Sequence, residues 1–312
     1  EPTHPMRRSS VKRNEPTPSG RQQLLLRLLA ALGGESKNLD FQKILFLYSQ
    51  EPDSGAPYEF VPYKFGAFSF TSYADRRKLV QQGLLEVDEH IWKLTPMGRA
   101  CTGGSVDMLL AEYVETLEGL QGEALVAETY RRYPYYATRS EIANRVLRGE
   151  PETLARIQAE REVVETSPLK TIGYEGHSLE SYLNVLLKSG VTTLCDVRRN
   201  PLSRKYGFSK STLANACLGV GVRYEHLPEL GIGSDQRQDL RTQEDYDALF
   251  EVYEREWLPD QQEALSKIQG WMANGERVAL TCYERLPHQC HRHCVAEALE
   301  RMAKGKLVAK HL

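Results

Sequence analysis

The sequence reads Arg277-Val-Ala-Leu-Thr-Cys282-Tyr-Glu284-Arg-Leu-Pro-His-Gln-Cys290-His291-Arg292 where an apolar run meets a group of reactive side chains. The run predicts a short buried strand, and the pattern at Val295–Leu299 predicts a helix after it. In α/β sheets, ligands bind outside the carboxyl ends of the strands. This stretch therefore predicts an α/β fold with an enzyme site directly after the strand.

The same alternation of strand and helix extends over residues 168–312. It favours a mainly parallel, Rossmann-like sheet with helical crossovers. Strands are expected at Lys170–Gly173, Val191–Val197, Val222–His226, Arg277–Cys282 and Lys306–Ala309. No glycine fingerprint of the G-x-G-x-x-G or Walker type is present in the sequence. A nucleotide cofactor is therefore not indicated.

Four motifs of this half occur in the order that is typical of one family. They are a Gly173-Tyr-Glu strand end, Asp196-Val-Arg198-Arg-Asn-Pro201-Leu-Ser203, a Tyr224-x-His226-Leu-x-x-Leu230-Gly segment, and Cys282-x-Glu284 followed by Cys290-His-Arg. Together they resemble the "domain of unknown function 488" family over about residues 168–312. Two features depart from its pattern: additional His and Cys residues near position 290, and Ile-Gly after Leu230-Gly231. The resemblance implies the α/β fold more directly than it implies an activity.

The strand ends supply the candidate site residues. The candidate catalytic residues are Asp196, Arg198, Cys282, Glu284, His291 and Arg292. A carboxylate there is suited to activate water or stabilise an oxocarbenium-like centre, and His291 is suited to protonate a leaving base. Arginines hold phosphates bidentately, and tyrosine rings could receive an extruded nucleotide. The candidate substrate contacts are Gly173, Tyr174, Glu175, Arg199, Ser203, Tyr206, Tyr224 and His226.

The Cys and His residues near position 290 raise the question of a metal. Cys290 and Cys294 are spaced on one helical turn, and no second Cys-x-x-Cys pair accompanies them. Because structural zinc sites normally draw four ligands from paired knuckles, the sequence favours neither a metal nor any other cofactor.

The first half divides into three predicted parts. Residues 1–20 are rich in Pro and basic residues and predict a disordered arm. Residues 21–104 show three helices followed by a hairpin at Gly83–Leu94, an order that resembles the winged helix-turn-helix domain. Residues 105–167 predict a helical connector, and residues 168–312 form the α/β domain. The aromatic and basic cluster at Tyr130–Tyr136 favours packing between domains over base stacking.

Winged helices bind DNA, RNA or proteins. If this one binds DNA, the predicted helix Ser69–Gln82 would enter the major groove. The basic residues expected to meet phosphates are Lys64, Arg76, Arg77 and Lys78. A protein-docking surface with an ordinary solvated basic turn is the alternative.

Composition limits the remaining function classes. The net charge is −2, and no apolar run approaches the ~20 residues that a membrane span needs. Six cysteines without a framework pattern favour reduced thiols and a cytoplasmic protein without a membrane partner.

Three functions fit the sequence. The first is a DNA-acting hydrolase, most simply a base-excising glycosylase of damaged or modified DNA. The second is a thiol-dependent enzyme that uses Cys282 or Cys290. The third is a DNA-binding regulator whose α/β domain senses an anion.

Overall fold

The computed structural model describes residues 17–117, 119–161, 163, 167–237 and 239–312. The predicted disordered arm falls almost entirely on residues 1–16, outside that range. Its last residues begin the first helix, because the Ser19 hydroxyl accepts a hydrogen bond from Gln22 N and the Gln22 side chain bonds back to Ser19 N. This reciprocal capping box fixes the helix start.

Short strands interrupt the helices in residues 20–100. The helices are α1 (Gly20–Ala31), α2 (Asn38–Ser49), α3 (Phe70–Gln81) and α4 (Pro96–Ala100), and the strands are β1 (Glu35–Lys37), β2 (Val61–Tyr63), β3 (Gly66–Phe68) and β4 (Ile91–Lys93). The three predicted helices are confirmed to within a residue or two of their ends. Whether this order of elements makes a winged helix stays a prediction.

The predicted hairpin at Gly83–Leu94 is confirmed in part. Leu85 and Leu94 form an antiparallel bridge and Glu86 N donates to Lys93 O at 2.9 Å, but the longer pairing of β4 is with β1. The physical reason lies in Trp92, which is buried and stacks on Phe41 of α2 with ring centroids 4.2 Å apart. This packing holds β4 against the helices.

The helices of residues 105–161 pack on the first part of the chain. They are α5 (Met108–Thr116), α6 (Gly122–Arg132), α7 (Ala143–Val146) and α8 (Pro151–Arg161). Leu110, Leu117 and Leu125 share one apolar core with α1 and α2. The tyrosines at positions 133 and 136 pack edge-on against Phe46. Packing therefore explains the aromatic cluster, as predicted.

A five-stranded sheet forms the centre of residues 168–312. Its strands are β5 (Leu169–Gly173), β6 (Thr193–Asp196), β7 (Arg223–His226), β8 (Val278–Cys282) and β9 (Lys310–His311), in the spatial order β7-β6-β8-β5-β9. Every pairing in it is parallel. The predicted parallel α/β sheet is confirmed, although the last strand lies at Lys310–His311 rather than Lys306–Ala309.

Helices cover both faces of this sheet. They are α9 (Leu179–Lys188), α10 (Lys210–Gly219), α11 (Gln243–Val252), α12 (Gln262–Ala273) and α13 (Arg292–Met302). Successive residues of a strand point to opposite faces. Thus Leu194 and Ala279 belong to the core under α9 and α10, whereas Cys195 and Leu280 belong to the core under α12 and α13. The result is a three-layer domain.

A buried carboxylate joins the two halves of the chain. Glu180 on α9 is 1% exposed and accepts hydrogen bonds from Thr71 N at 2.7 Å, Thr71 Oγ1 at 2.9 Å and Ser69 Oγ at 3.3 Å. A carboxylate at a helix N-terminus is favourable because the helix dipole is positive there. Burial nevertheless raises the pKa of Glu180, against these donors. Glu180 therefore anchors the start of α3 to the α/β domain.

Replacing Glu180 with Ala should lower the free energy of unfolding by about 2 kcal/mol, because buried donors at the start of α3 lose a charged acceptor. Chemical denaturation monitored by circular dichroism measures the change. Glu263→Ala is the matched control, since Glu263 pairs only with Lys267 on the exposed surface of α12 and should change stability by less than about 0.5 kcal/mol. Equal effects of the two variants would contradict the anchoring role.

Candidate active site at the carboxyl edge of the sheet

The strand ends that carry the motifs meet at one edge. Gly173 lies opposite Cys282 in the β5–β8 register, and Asp196 lies opposite Thr281 in the β6–β8 register. A Cβ added to Gly173 would come within 1.9 Å of the carbonyl oxygen of Glu284. Only glycine therefore lets the loop after β8 cross the end of β5 so closely.

Asp196 and Arg198 form a buried ion pair. Arg198 Nη2 and Nε donate to the two Asp196 carboxylate oxygens at 2.6 and 2.8 Å. Arg198 Nη1 donates to Phe208 O, and the Tyr224 hydroxyl donates to Asp196 Oδ2 at 2.6 Å. Arg198 is 6% exposed and Asp196 fully buried. Because the Asp196 carboxylate and the Arg198 guanidinium are bonded to each other, the pair is suited to hold the loop after β6 in place rather than to react with a substrate.

Tyr174 and Tyr224 are not free to stack on an extruded base, contrary to expectation. The Tyr174 ring stacks on Phe208 with centroids 4.4 Å apart, and the Arg198 guanidinium lies 5.1 Å from the same ring. Tyr224 bonds to Asp196 through its hydroxyl. Tyr206 is 40% exposed but lies at the contact with α3, where its hydroxyl donates to Phe70 O. The three rings therefore do not form one nucleotide pocket.

The other predicted substrate contacts build the loops. Glu175 accepts a hydrogen bond from Arg285 N at 2.9 Å, and Ser203 Oγ accepts one from Lys205 N at 3.1 Å. His226 bonds through Nε2 to Arg198 O at 2.9 Å. These contacts fix the backbone around the site. Among the predicted substrate contacts, Arg199 is the exposed cation that lines the pocket.

Arg292 holds the loop after β8. Its side chain is fully buried and donates to the carbonyl oxygens of Glu284 and Arg285 at 2.5 and 3.0 Å. It also reaches Thr171 Oγ1 on β5 at 3.4 Å. A cation at a helix N-terminus opposes the dipole, and these carbonyl oxygens compensate for it. The predicted catalytic role of Arg292 is therefore replaced by a positioning role.

Four polar side chains meet inside this loop. Cys282 Sγ lies 3.4 Å from Glu284 Oε2 and 3.9 Å from His291 Nδ1, and Cys290 is adjacent. The pKa of Cys282 lies well below its usual value, chiefly because the Cys290 thiol bonds to the thiolate. Burial raises the pKa of Glu284, and Cys282 raises it further. Burial also raises the pKa of the Cys290 thiol well above its usual value. The cluster therefore combines one acidic thiol, Cys282, with two neighbours that hold their protons more readily.

Arg237 is the residue of this site that the sequence did not indicate. Its Nη1 donates to Glu284 Oε1 at 2.8 Å and its Nη2 to His291 Nδ1 at 2.7 Å. Arg237 stands in a short 3₁₀ turn, Ser234–Arg237, far from any strand end in the sequence. No motif in the sequence marks it, and only the fold brings it to the cluster.

The tautomer of His291 follows from these contacts. A guanidinium can only donate, so Nδ1 accepts, and Nε2 carries the proton that it donates to Val197 O at 2.9 Å. His291 is 1% exposed. In this arrangement both ring nitrogens are bonded within the protein, and the role of His291 as a general acid stays a prediction.

A pocket of about 200 Å³ opens beside the cluster. Cys282 and His291 form part of its wall, together with Arg199, Arg237 and Tyr283. Arg199 and Arg285 are exposed, and neither forms a salt bridge with a described residue. The pocket is therefore suited to an anionic group.

The predicted DNA-contacting residues divide into two groups. Arg76 is buried, donates to Asp88 O and Ile91 O, and lies 5.2 Å from the Trp92 ring, so it is not free to meet a phosphate. Lys64, Arg77 and Lys78 are exposed. A helix-turn-helix protein reads bases with the N-terminal end of its recognition helix. Here Glu180 and Tyr206 cover that end of α3, which contradicts the expected groove insertion in this arrangement.

The fold and the site define a parallel α/β domain with a polar, anion-suited pocket at its carboxyl edge. Residues 178–299 match the family model described as "Domain of unknown function DUF488". The match falls within residues 168–312, the part of the chain in which the motifs indicated this family. Neither a curated protein nor a solved structure matches the chain. No helix among the described residues is long and apolar enough to cross a bilayer.

Asp196→Asn should lower the free energy of unfolding by about 3–5 kcal/mol, because it leaves the buried Arg198 without its counter-charge. Urea denaturation measures the loss. Glu251→Gln is the control: Glu251 pairs with Arg255 at the exposed end of α11, and its removal should cost less than about 1 kcal/mol. If the variant kept native stability but lost turnover, Asp196 would instead take part directly in the reaction.

Proposed function

We propose that the protein is a hydrolase of phosphate-bearing substrates and that the pocket beside Cys282 and His291 is its active site. The observation that carries the proposal is a pocket at the carboxyl edge of a parallel sheet that is lined by Arg199 and Arg237, with Arg237 paired to Glu284 at 2.8 Å. Arginine is the residue best suited to hold a phosphate group. A carboxylate beside it is suited to take a proton from water.

Glu284 is the group best placed for acid–base work. Its side chain is 15% exposed and is joined to the pocket through Arg237, which lines the pocket and donates to Glu284 Oε1. Asp196 and His291 are less suited, because their polar atoms are bonded within the protein. The proposed reaction therefore depends on one carboxylate, rather than on the pair that the sequence favoured.

We propose nucleic acid as the class of phosphate-bearing substrate. Arg199, Arg204 and Arg285 are exposed on the loops around the pocket, and Lys64, Arg77 and Lys78 are exposed on the N-terminal half. Cationic side chains of this kind bind the phosphate backbone irrespective of sequence. Base excision from damaged or modified DNA is the specific reaction that this proposal retains.

Turnover is tested with intact, abasic, alkylated, oxidised and uracil-containing oligonucleotides, single- and double-stranded, together with free nucleotides. Base release is measured by chromatography and strand cleavage on gels. Glu284→Gln should lower kcat by at least about 100-fold, the usual size of an acid–base contribution.

Two further variants separate chemistry from binding. Glu297→Gln, at an exposed position of α13 near Arg301, should keep wild-type kcat and serves as the matched control. Arg199→Gln should raise KM more than it lowers kcat, because Arg199 is proposed to hold substrate. Wild-type protein that turns over no substrate of the panel, or Glu284→Gln that keeps full kcat, would overturn the proposal.

A further inference from the structure

We infer that Cys282, Cys290 and His291 form a zinc site that opens into the proposed active-site pocket. The inference rests on the proposed hydrolase function for the role of the metal, but not for its binding. All three side chains are buried, and their ligand atoms lie within 4.8 Å of one another. Thiolate and imidazole are the ligands that zinc prefers, whereas magnesium and calcium take oxygen ligands.

The spacing is close to that of a zinc site. Tetrahedral bonds of about 2.3 Å to sulfur and about 2.0 Å to nitrogen would put a sulfur and a nitrogen about 3.5 Å apart and two sulfurs about 3.8 Å apart. Cys282 Sγ and His291 Nδ1 are 3.9 Å apart, and the ligand atoms of all three residues lie within 4.8 Å of one another. Shifts on the order of 1 Å would therefore complete the geometry.

The orientation of the imidazole is that of a metal ligand. His291 donates its Nε2 proton to Val197 O at 2.9 Å, which leaves Nδ1 without a proton, 3.9 Å from Cys282 Sγ. Metal-binding histidines almost always donate their other ring proton to a carbonyl or carboxylate in this way. The Nδ1 lone pair accepts from Arg237 in this structure, so a metal ion would displace that donor.

A cation already lies in the cluster, because the Arg237 guanidinium bridges Glu284 and His291 Nδ1. It fits imperfectly, because its buried Nε lacks a partner among the described residues. A zinc ion would bind Nδ1 in place of the Arg237 guanidinium. Arg237 would stay paired with Glu284 and direct its other N–H donors toward the pocket.

The sequence disfavours a metal because Cys290 and Cys294 lack a second Cys-x-x-Cys pair, although it offers six candidate ligands: Cys282, His288, Cys290, His291, His293 and Cys294. The fold brings together three of them, Cys282 from the end of β8 with Cys290 and His291. Cys294 instead has His293 beside it, with Sγ 3.5 Å from Nε2. The ligand set is therefore two thiolates and one imidazole, and Cys294 lies outside it.

Three protein ligands leave one position for water, as in catalytic zinc sites. Cys282 and His291 both line the pocket, so this position faces it. Zinc lowers the pKa of a bound water, and Glu284 is placed to accept the proton released. The zinc-bound hydroxide would form the new bond to the substrate, the bond to the leaving group would break, and Glu284 would return the proton to the leaving group.

The test begins with the metal content of the full chain as purified, and after incubation with excess Zn²⁺ and gel filtration. Mass spectrometry should find one zinc per chain. Substitution with Co²⁺ should give thiolate-to-cobalt charge-transfer bands and the intense visible bands of a tetrahedral ion. A metal content far below one, together with no cobalt spectrum, would overturn the inference.

Variants locate the site. Cys282→Ser, Cys290→Ser and His291→Ala should each lose the charge-transfer bands or most of the bound metal. Cys294→Ser is the matched control, because Cys294 is equally buried and lies in the first turn of α13, directly after the ligand segment; this variant should bind one equivalent. Full binding by all three ligand variants, or its loss in Cys294→Ser alone, would contradict the assignment.

The experiments distinguish rejection of the zinc site from rejection of the proposed hydrolase function. Zinc bound at one equivalent without turnover of any substrate would support the site and reject the hydrolase. Turnover by metal-free protein that chelators do not reduce and thiol alkylation abolishes would reject the site and assign the chemistry to Cys282 as a nucleophile.

Discussion

Parallel pairing of β8 with both β5 and β6 is the constraint on which the site depends. It places Gly173, Asp196 and Cys282 at one edge of the sheet, so the three loops that follow must share the same space. Gly173 makes the closest approach possible, and Arg292 fixes the loop after β8 through its carbonyl oxygens. The cluster of Cys282, Glu284, Cys290 and His291 is a consequence of these backbone contacts.

The charged motif residues at this edge serve two purposes. Asp196, Arg198 and Arg292 are buried and bonded within the protein, so they shape the loops. Arg199 lines the pocket and is available to a substrate, and Glu284 is 15% exposed and paired with Arg237, which also lines the pocket. The position of a residue at a strand end therefore identifies it as part of the site. Its burial then shows whether it shapes the loops or is available for the reaction.

Local patterns predicted most of the secondary structure. The amphipathic face of α9, its Ser178 cap and the apolar runs of β5 and β8 depend on neighbours in sequence, and the structure confirms them. The pairing of β4 with β1 depends instead on the burial of Trp92, which no local pattern reveals. Arg237 and the Glu180 contact with α3 were missed for the same reason, since both join segments far apart in the chain.

The central claim is that the fold assembles two thiolates and one imidazole into a single cation site at the mouth of the pocket. X-ray absorption at the zinc edge of the loaded protein tests it most directly. The account predicts a shell of two sulfurs at about 2.3 Å with lighter ligands at about 2.0 Å, one of them showing imidazole scattering. A shell of oxygen and nitrogen without sulfur, or one of three or four sulfurs, would contradict it.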